Sequence, residues 1–234
     1  MTERRTQPRT PQPPTRRDAI ATRDRLLEAA SIIFARQGYR DTSVRDICAE
    51  AEANVSAVRH YFGGKEALYR AVVLGAFQSM RARQPLPDFA LMNTPEEVLR
   101  SWIHFYSRLI LIHKAGHAVA GRLLAHELRQ PTGALDDLVR MVLRPIRDAL
   151  EKAIGAMLGP ADAPRHRLRY ANMIQGIILS QDFGEAVFAR LGASPVRSEA
   201  EVHDFAERVT AFAVGGIRAA CEDAMGGQDG EGRS

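Results

Sequence analysis

Only two cysteines, Cys48 and Cys221, occur in 234 residues, and they lie far apart in the chain. That scarcity argues against a disulfide framework or a cysteine-rich metal knuckle and fits two reduced, buried thiols. No run approaches the ~18 consecutive apolar residues that a membrane span needs, and the N-terminus has arginines and prolines where a signal peptide has an apolar core. The expectation is a cytoplasmic protein with no membrane partner. No segment reads convincingly as a strand, and no internal repeat is found. Common catalytic motifs are missing too. His126-Glu127 lacks the second histidine of a metalloprotease helix, and there is no G-x-S-x-G elbow. Gly63-Gly64-Lys65 lacks the upstream glycine of a phosphate loop, and Glu66 stands where its Ser/Thr would be. These gaps point away from an enzyme and call for no cofactor.

What is present is the composition of an ordinary folded protein, 45% hydrophobic and 26% charged, in a chain long enough for two units. The net charge of +4 is unevenly spread: residues 1–83 carry 15 Lys/Arg against 9 Asp/Glu, while residues 84–234 carry 17 against 19. Positive charge gathered in one part of a chain points to a phosphate-bearing partner, because neutralising phosphates releases condensed counterions.

Residues 1–17 hold four prolines and five arginines with no aliphatic core-forming residue, which reads as a disordered basic arm. From Asp18 to Gln37 the residues Leu26, Leu27, Ala30, Ile33 and Phe34 recur at helical spacing, with Gly38 placed to end the helix. Thr42 and Ser43 supply caps for a short helix from Ser43 to Ala51, and Asn54 caps another from Val55 to Tyr61 that Gly63-Gly64 closes. A fourth helix runs from Lys65 to Arg83, where Pro85 and Pro87 stop it. Thr94-Pro95-Glu96-Glu97 is a complete helix start for a segment reaching Lys114. Further helices are expected over 117–129, 135–158, 164–190 and 198–221, with Pro145 kinking the one that contains it. The fold class is all-α: a helix-turn-helix unit over 18–65, a larger helical unit over 66–223, and a disordered tail over 224–234.

Two short helices joined by a tight turn and preceded by a supporting helix have the geometry of a DNA-reading helix-turn-helix. The stretch TSVRDICAEAEANVSAVRHYFGGKEALYRAVV, Thr42 to Val73, resembles the TetR/AcrR family signature: a capped second helix, a turn, a recognition helix ending in Tyr-Phe, and a Lys-Glu start to the fourth helix. It departs from the family at Glu52, where glycine is frequent in the turn, and at Asn54, where serine is frequent. The Asn54–Lys65 wording, Glu127–Thr132, Leu135-Asp136 and Arg144-Pro145 resemble the CecR-type branch. The resemblance implies a sequence-specific transcriptional regulator that binds a near-palindromic double-stranded DNA operator as a homodimer and is released by a small-molecule effector. Ligand-dependent activation or co-repression on the same fold is the alternative.

Helix N-termini offer free N–H groups to phosphate. Ser43, Tyr61 and Lys65 are accordingly the candidate phosphate contacts. The resemblance places Arg45, Val55, Ser56 and Arg59 at the major groove, where arginine can fork onto guanine and valine can pack on a thymine methyl. His60 and Phe62 are expected to pack inside the small unit. In the second half, Trp102, Phe105, Tyr106, Leu109, His113, Met141, Met173, Ile177 and Phe183 are the candidate effector-lining residues, although the same residue types build plain core. For the dimer, Ile174, Ile178, Phe205, Val209, Phe212 and Ile217 are the candidate interface, with Gly176, Ala213, Gly215 and Gly216 allowing close approach. A helical metal protein or enzyme is the competing class. His113 and His117 stand i, i+4, near His104 and His126, but no further ligand is evident, so no metal site is assigned.

Overall fold

The computed structural model describes residues 16–112, 118–159 and 164–226. The basic arm up to residue 15, His113, Lys114, His117 and the tail from residue 227 lie outside the described residues. Among the described residues every regular element is helical.

Helix α1 (Arg16–Asp41) buries Leu26, Ala30, Ile33 and Phe34 on one face, as their spacing requires. It begins two residues inside the expected arm, and its regular turns end at Gly38. There φ is 78° and ψ −179°, a conformation that a Cβ would make strained. The buried Thr42 hydroxyl then donates to the Gly38 carbonyl at 2.7 Å and fixes the turn. Helix α2 (Val44–Glu50) is capped by Ser43, whose Oγ accepts from the Asp46 N–H at 3.1 Å. At its far end the Arg25 side chain donates to the Ala51 carbonyl at 3.2 Å, tying α1 to the turn. Helix α3 (Val55–Phe62) is capped by Asn54, and Gly63 terminates it at φ 85°.

Ile47, Cys48, Ala51 and Val58 are buried, as are the apolar face of α1 and, on α4 (Lys65–Arg83), Leu68, Tyr69, Val72 and Val73. The Phe34 and Tyr69 rings meet edge to face at 4.8 Å. The chain divides into two compact units between Val73 and Leu74, inside α4; the reading from sequence put the boundary between residues 65 and 66.

In the second unit the end of α4 is followed by a short 3-10 turn, Phe89–Leu91, and then α5 (Pro95–Leu111). The start of α5 forms a capping box: Glu97 N–H donates to Thr94 Oγ1 at 3.2 Å, and Thr94 N–H donates to Glu97 Oε2 at 3.3 Å. Helices α6 (Ala118–Arg129) and α7 (Gly133–Leu138) follow. The fully buried Glu127 carboxylate accepts from the backbone N–H and the hydroxyl of Thr132, both at 3.0 Å, at the entry to α7.

The single helix expected over 135–158 is instead α7 and α8 (Arg144–Leu158) joined by a π turn, Val139–Leu143. Pro145 has no N–H to continue an α ladder, and the preceding N–H, of Arg144, reaches back five residues to the Val139 carbonyl. Helix α9 (Pro164–Phe183) likewise ends before Gly184, so that the segment expected to run to Arg190 closes as a separate α10 (Glu185–Arg190). The last helix, α11 (Glu199–Gly226), continues past residue 223, where a disordered tail was expected.

The core of this unit is built from α5, α8, α9 and α11, around Leu99, Trp102, Ile103, Leu150, Ile154, Ile178, Ala206 and Ile217. Trp102 is fully buried, and its indole N–H donates to the Ile146 carbonyl at 2.7 Å, satisfying the one polar atom that burial would otherwise orphan.

Candidate functional site

The α2–α3 pair places its polar residues outward. Ser43 and Arg45 are exposed at the start of α2, where the N–H groups of the first turn have no acceptor within the helix. On α3, Val58 is buried and faces the core, whereas Val55, Ser56, Arg59 and His60 are exposed and fall on one face, at i, i+1, i+4 and i+5. His60 therefore does not pack inside the unit as expected. It lies edge-on to Tyr61 at 4.8 Å and shares the outward face with Arg59. The signal for it was the i, i+4 spacing from Ser56. Phe62 is half-buried, with the Arg23 guanidinium 5.3 Å over its ring.

Two of the candidates have internal partners. The Ser56 hydroxyl donates to Asn54 Oδ1 at 2.8 Å, within the cap. The Lys65 ammonium sits 4.5 Å over the Tyr39 ring and 3.5 Å from the Arg40 carbonyl, and burial holds its pKa below the usual lysine range, against the pull of Asp41. Glu52, in the turn, is the one described non-glycine residue with a positive φ, 47°.

In the second unit, Trp102, Phe105 and Leu109 are buried together in the core, and Tyr106 stacks on Trp102 at 4.6 Å. Burial pushes the Tyr106 phenol up to about 12, against the opposing effects of a Gln175 hydrogen bond and Arg147. Arg147, on α8, donates to Glu151, Gln175, Asn172 and the Leu168 carbonyl, tying α8 to α9. Ile177 is half-buried, but Met141, Met173 and Phe183 are exposed on this chain and do not join that core. Two open clefts, one over Gly155 beside Arg167 and one where Thr94 and Glu96 face Met157 and Arg218, contain none of the expected effector residues.

The expected dimer residues fall into two groups. Ile174, Ile178, Val209 and Ile217 are buried in the protomer's own core and Phe205 is half-buried against it, whereas Phe212 is 68% exposed. The outward faces of α9 and α11 instead carry Met173, Gly176 and Phe183, and Phe212, Gly215 and Gly216.

A capped two-helix DNA reader followed by a separate helical unit defines a helix-turn-helix transcriptional regulator. Residues 26–72 match the model of the bacterial regulatory proteins of the tetR family, and residues 95–217, more than half of the chain, match the C-terminal domain of the HTH-type transcriptional dual regulator CecR. The chain belongs to the tetR family of regulators and carries a CecR-type second domain.

It is 29% identical over 83 residues to the probable transcriptional regulator YttP of Bacillus subtilis, a match covering 35% of this chain and 40% of YttP. It is 26% identical over 181 residues to CecR of Shigella flexneri, covering 71% of this chain and 78% of CecR. Among solved structures, the transcriptional regulator FadR from Bacillus subtilis in complex with stearoyl-CoA shares the fold with a TM-score of 0.56 at 18% identity, over 82% of this chain and 97% of that one. Among the described residues no helix is long and apolar enough to cross a membrane.

Proposed function

We propose that this regulator represses transcription by binding a near-palindromic operator as a homodimer and releases it when a small molecule binds the second unit. The observation that carries the proposal is the exposed face of α3, where Val55, Ser56 and Arg59 stand together beside the capped start of α2. Arg59 reads a guanine edge, Val55 and Ser56 contact neighbouring bases with Arg45, and Ser43, Tyr61 and Lys65 take phosphates. The dimer forms through the outward faces of α9 and α11, and a two-fold axis there imposes two-fold symmetry on the operator. An effector that favours a dimer with its reading heads differently spaced lowers operator affinity by reciprocal coupling. The complex of FadR with stearoyl-CoA supports a ligand role for this architecture. Likeness to a dual regulator favours a second reading, activation at some promoters.

The test is a salt-titrated anisotropy assay on DNA flanking the protein's own gene, followed by unbiased site selection, comparing wild type with Arg59→Ala. Loss of a base contact of about 1–3 kcal/mol in each of the two half-sites weakens binding by at least about 30-fold and relaxes preference at one base pair of each half-site. Equal affinity and unchanged base preference in the variant would remove Arg59 from the reading. Repression or activation is then decided by a reporter carrying the selected site.

A further inference from the structure

On α3 only Val58 is buried, and it fixes which way the rest of the helix faces. At about 100° of turn per residue, Val55 and Arg59 stand roughly 60° and 100° around the helix from Val58, whereas Ser56 and His60 each stand roughly 160° away. Ser56 and His60, both exposed and one turn apart, are therefore the crown of the helix, directed most squarely away from the core. Arg59 and Val55 lie on its flank.

The two crown residues differ in what they can offer a base. The Ser56 hydroxyl donates to Asn54 Oδ1 at 2.8 Å, and the same oxygen takes the Ser56 N–H at 2.9 Å. Its hydrogen is spent inside the cap. His60 makes no side-chain hydrogen bond among the described residues, and its ring rests edge-on to the half-buried Tyr61 at 4.8 Å. A neutral imidazole carries one N–H donor in either tautomer, and here that ring is steadied by a neighbour. When a helix lies in the major groove, its crown meets the floor, where the base edges are. A long arginine reaches the floor from the flank, but a short imidazole reaches it only from the crown.

We propose that His60 is a base-reading residue of α3, donating from its imidazole to a second guanine in each half-site, next to the base pair read by Arg59. The proposal rests on the operator reading above, which leaves His60 without a role, and adds a second specificity-determining contact to it. Guanine is selected because O6 and N7 both accept, so one N–H finds an acceptor over a range of positions. Adenine sets its N6 donor beside N7, cytosine presents a donor, and thymine offers one acceptor flanked by its methyl group.

The experiment selects sites from random duplex DNA with the full-length wild type, His60→Ala, His60→Gln and Arg59→Ala. Affinities for the site that the wild type selects and for a scrambled duplex follow by anisotropy at fixed salt, and circular dichroism checks folding. His60→Ala should lose the guanine preference at one base pair of each half-site, a different one from that relaxed by Arg59→Ala. It should weaken operator binding by at least about fivefold over the two half-sites, from two lost hydrogen bonds, and leave binding to the scrambled duplex within about twofold. His60→Gln should move the preference at that base pair to adenine, whose N6 and N7 an amide grips together. The exposed site leaves both substitutions clear of the core, and the glutamine variant decides the matter should the alanine variant fail to fold. A phosphate contact would instead weaken operator and scrambled duplex alike with base preference unchanged, and that result overturns the proposal. A selective wild type whose preference changes in Arg59→Ala but not in either His60 variant overturns this proposal alone. A wild type that selects no sequence overturns the operator reading and this proposal with it.

Discussion

His104 on α5 and Glu207 on α11 meet with Nε2 2.7 Å from Oε1, and Arg100, one turn before His104, closes on the same carboxylate. The carboxylate is thereby shared between two α5 side chains, with the His203 ring 5.0 Å from that of His104. The pair fastens the first and last long helices of the second unit at their polar edge, outside the apolar seam of Trp102, Ala206 and Val209.

This contact has a pH signature. The Arg100 hydrogen bond, and after it that of His104, holds the Glu207 carboxyl below its ordinary value of about 4.5. A carboxylate whose folded pKa is depressed contributes stability that is full above the unfolded value and lost as pH falls through the folded one. Thermal unfolding of wild type and Glu207→Gln should therefore differ at neutral pH, with the variant melting lower, and the difference should close as the pH drops below about 4.5. The side chain is 36% exposed, so solvent screening keeps the effect small. A melting difference that stays constant from pH 7 to pH 3 would show that the charge of Glu207 contributes nothing.

Glu52 is strained where the family often has glycine. Its φ of 47° is a left-handed conformation, which costs a side chain with a Cβ roughly 1–2 kcal/mol. Glycine removes that strain but gives the unfolded chain more freedom, an offset of about 0.5–1 kcal/mol. Glu52→Gly should stabilise the first unit by up to about 1.5 kcal/mol, and Glu52→Ala, which keeps the Cβ, should gain nothing. Urea unfolding followed by helical circular dichroism separates the two. Equal stability of the glycine and alanine variants would place the turn outside the strained region.

The parts of this fold that were legible in the sequence are those in which one residue type answers one local demand. Ser43, Asn54 and Thr94 are caps because orphan N–H groups need an oxygen there, and Gly38 and Gly63 mark turns closed to other residues. The π turn before Pro145 was not legible, since apolar spacing of about three to four residues tolerates one widened turn.

The two faces of α9 were not separable either. Ile174 and Ile178 point into the protomer's own core, and Met173 and Phe183 point away. A helix that is apolar on both sides carries no periodic mark of which side is inward. His60, expected inside the small unit, is exposed because its i, i+4 relation to Ser56 puts it on the outward face of α3.

The outward face of α9 and α11 sets the test of the dimer. Phe212 is 68% exposed on α11, next to Gly215 and Gly216, where an added Cβ would meet nothing within 4 Å. An aromatic ring beside bare backbone suits close helix crossing, and in a two-fold dimer each substitution is present twice. Phe212→Glu should weaken the dimer by about 1,000-fold, from the loss of an apolar anchor of roughly 2 kcal/mol, counted twice. Light scattering after size exclusion, at about 10 μM chain, should show a monomer for this variant and a dimer for wild type. Leu128→Glu is the control, because Leu128 is comparably exposed at 58% but stands on α6 rather than on α9 or α11, and it should leave the dimer intact. The folded monomer should also lose most operator affinity, since two half-sites are read together only when the two reading heads are joined. A Phe212→Glu protein that remains dimeric would move the interface off the faces of α9 and α11, while monomers from both variants would mean that the dimer tolerates no added charge anywhere on the second unit.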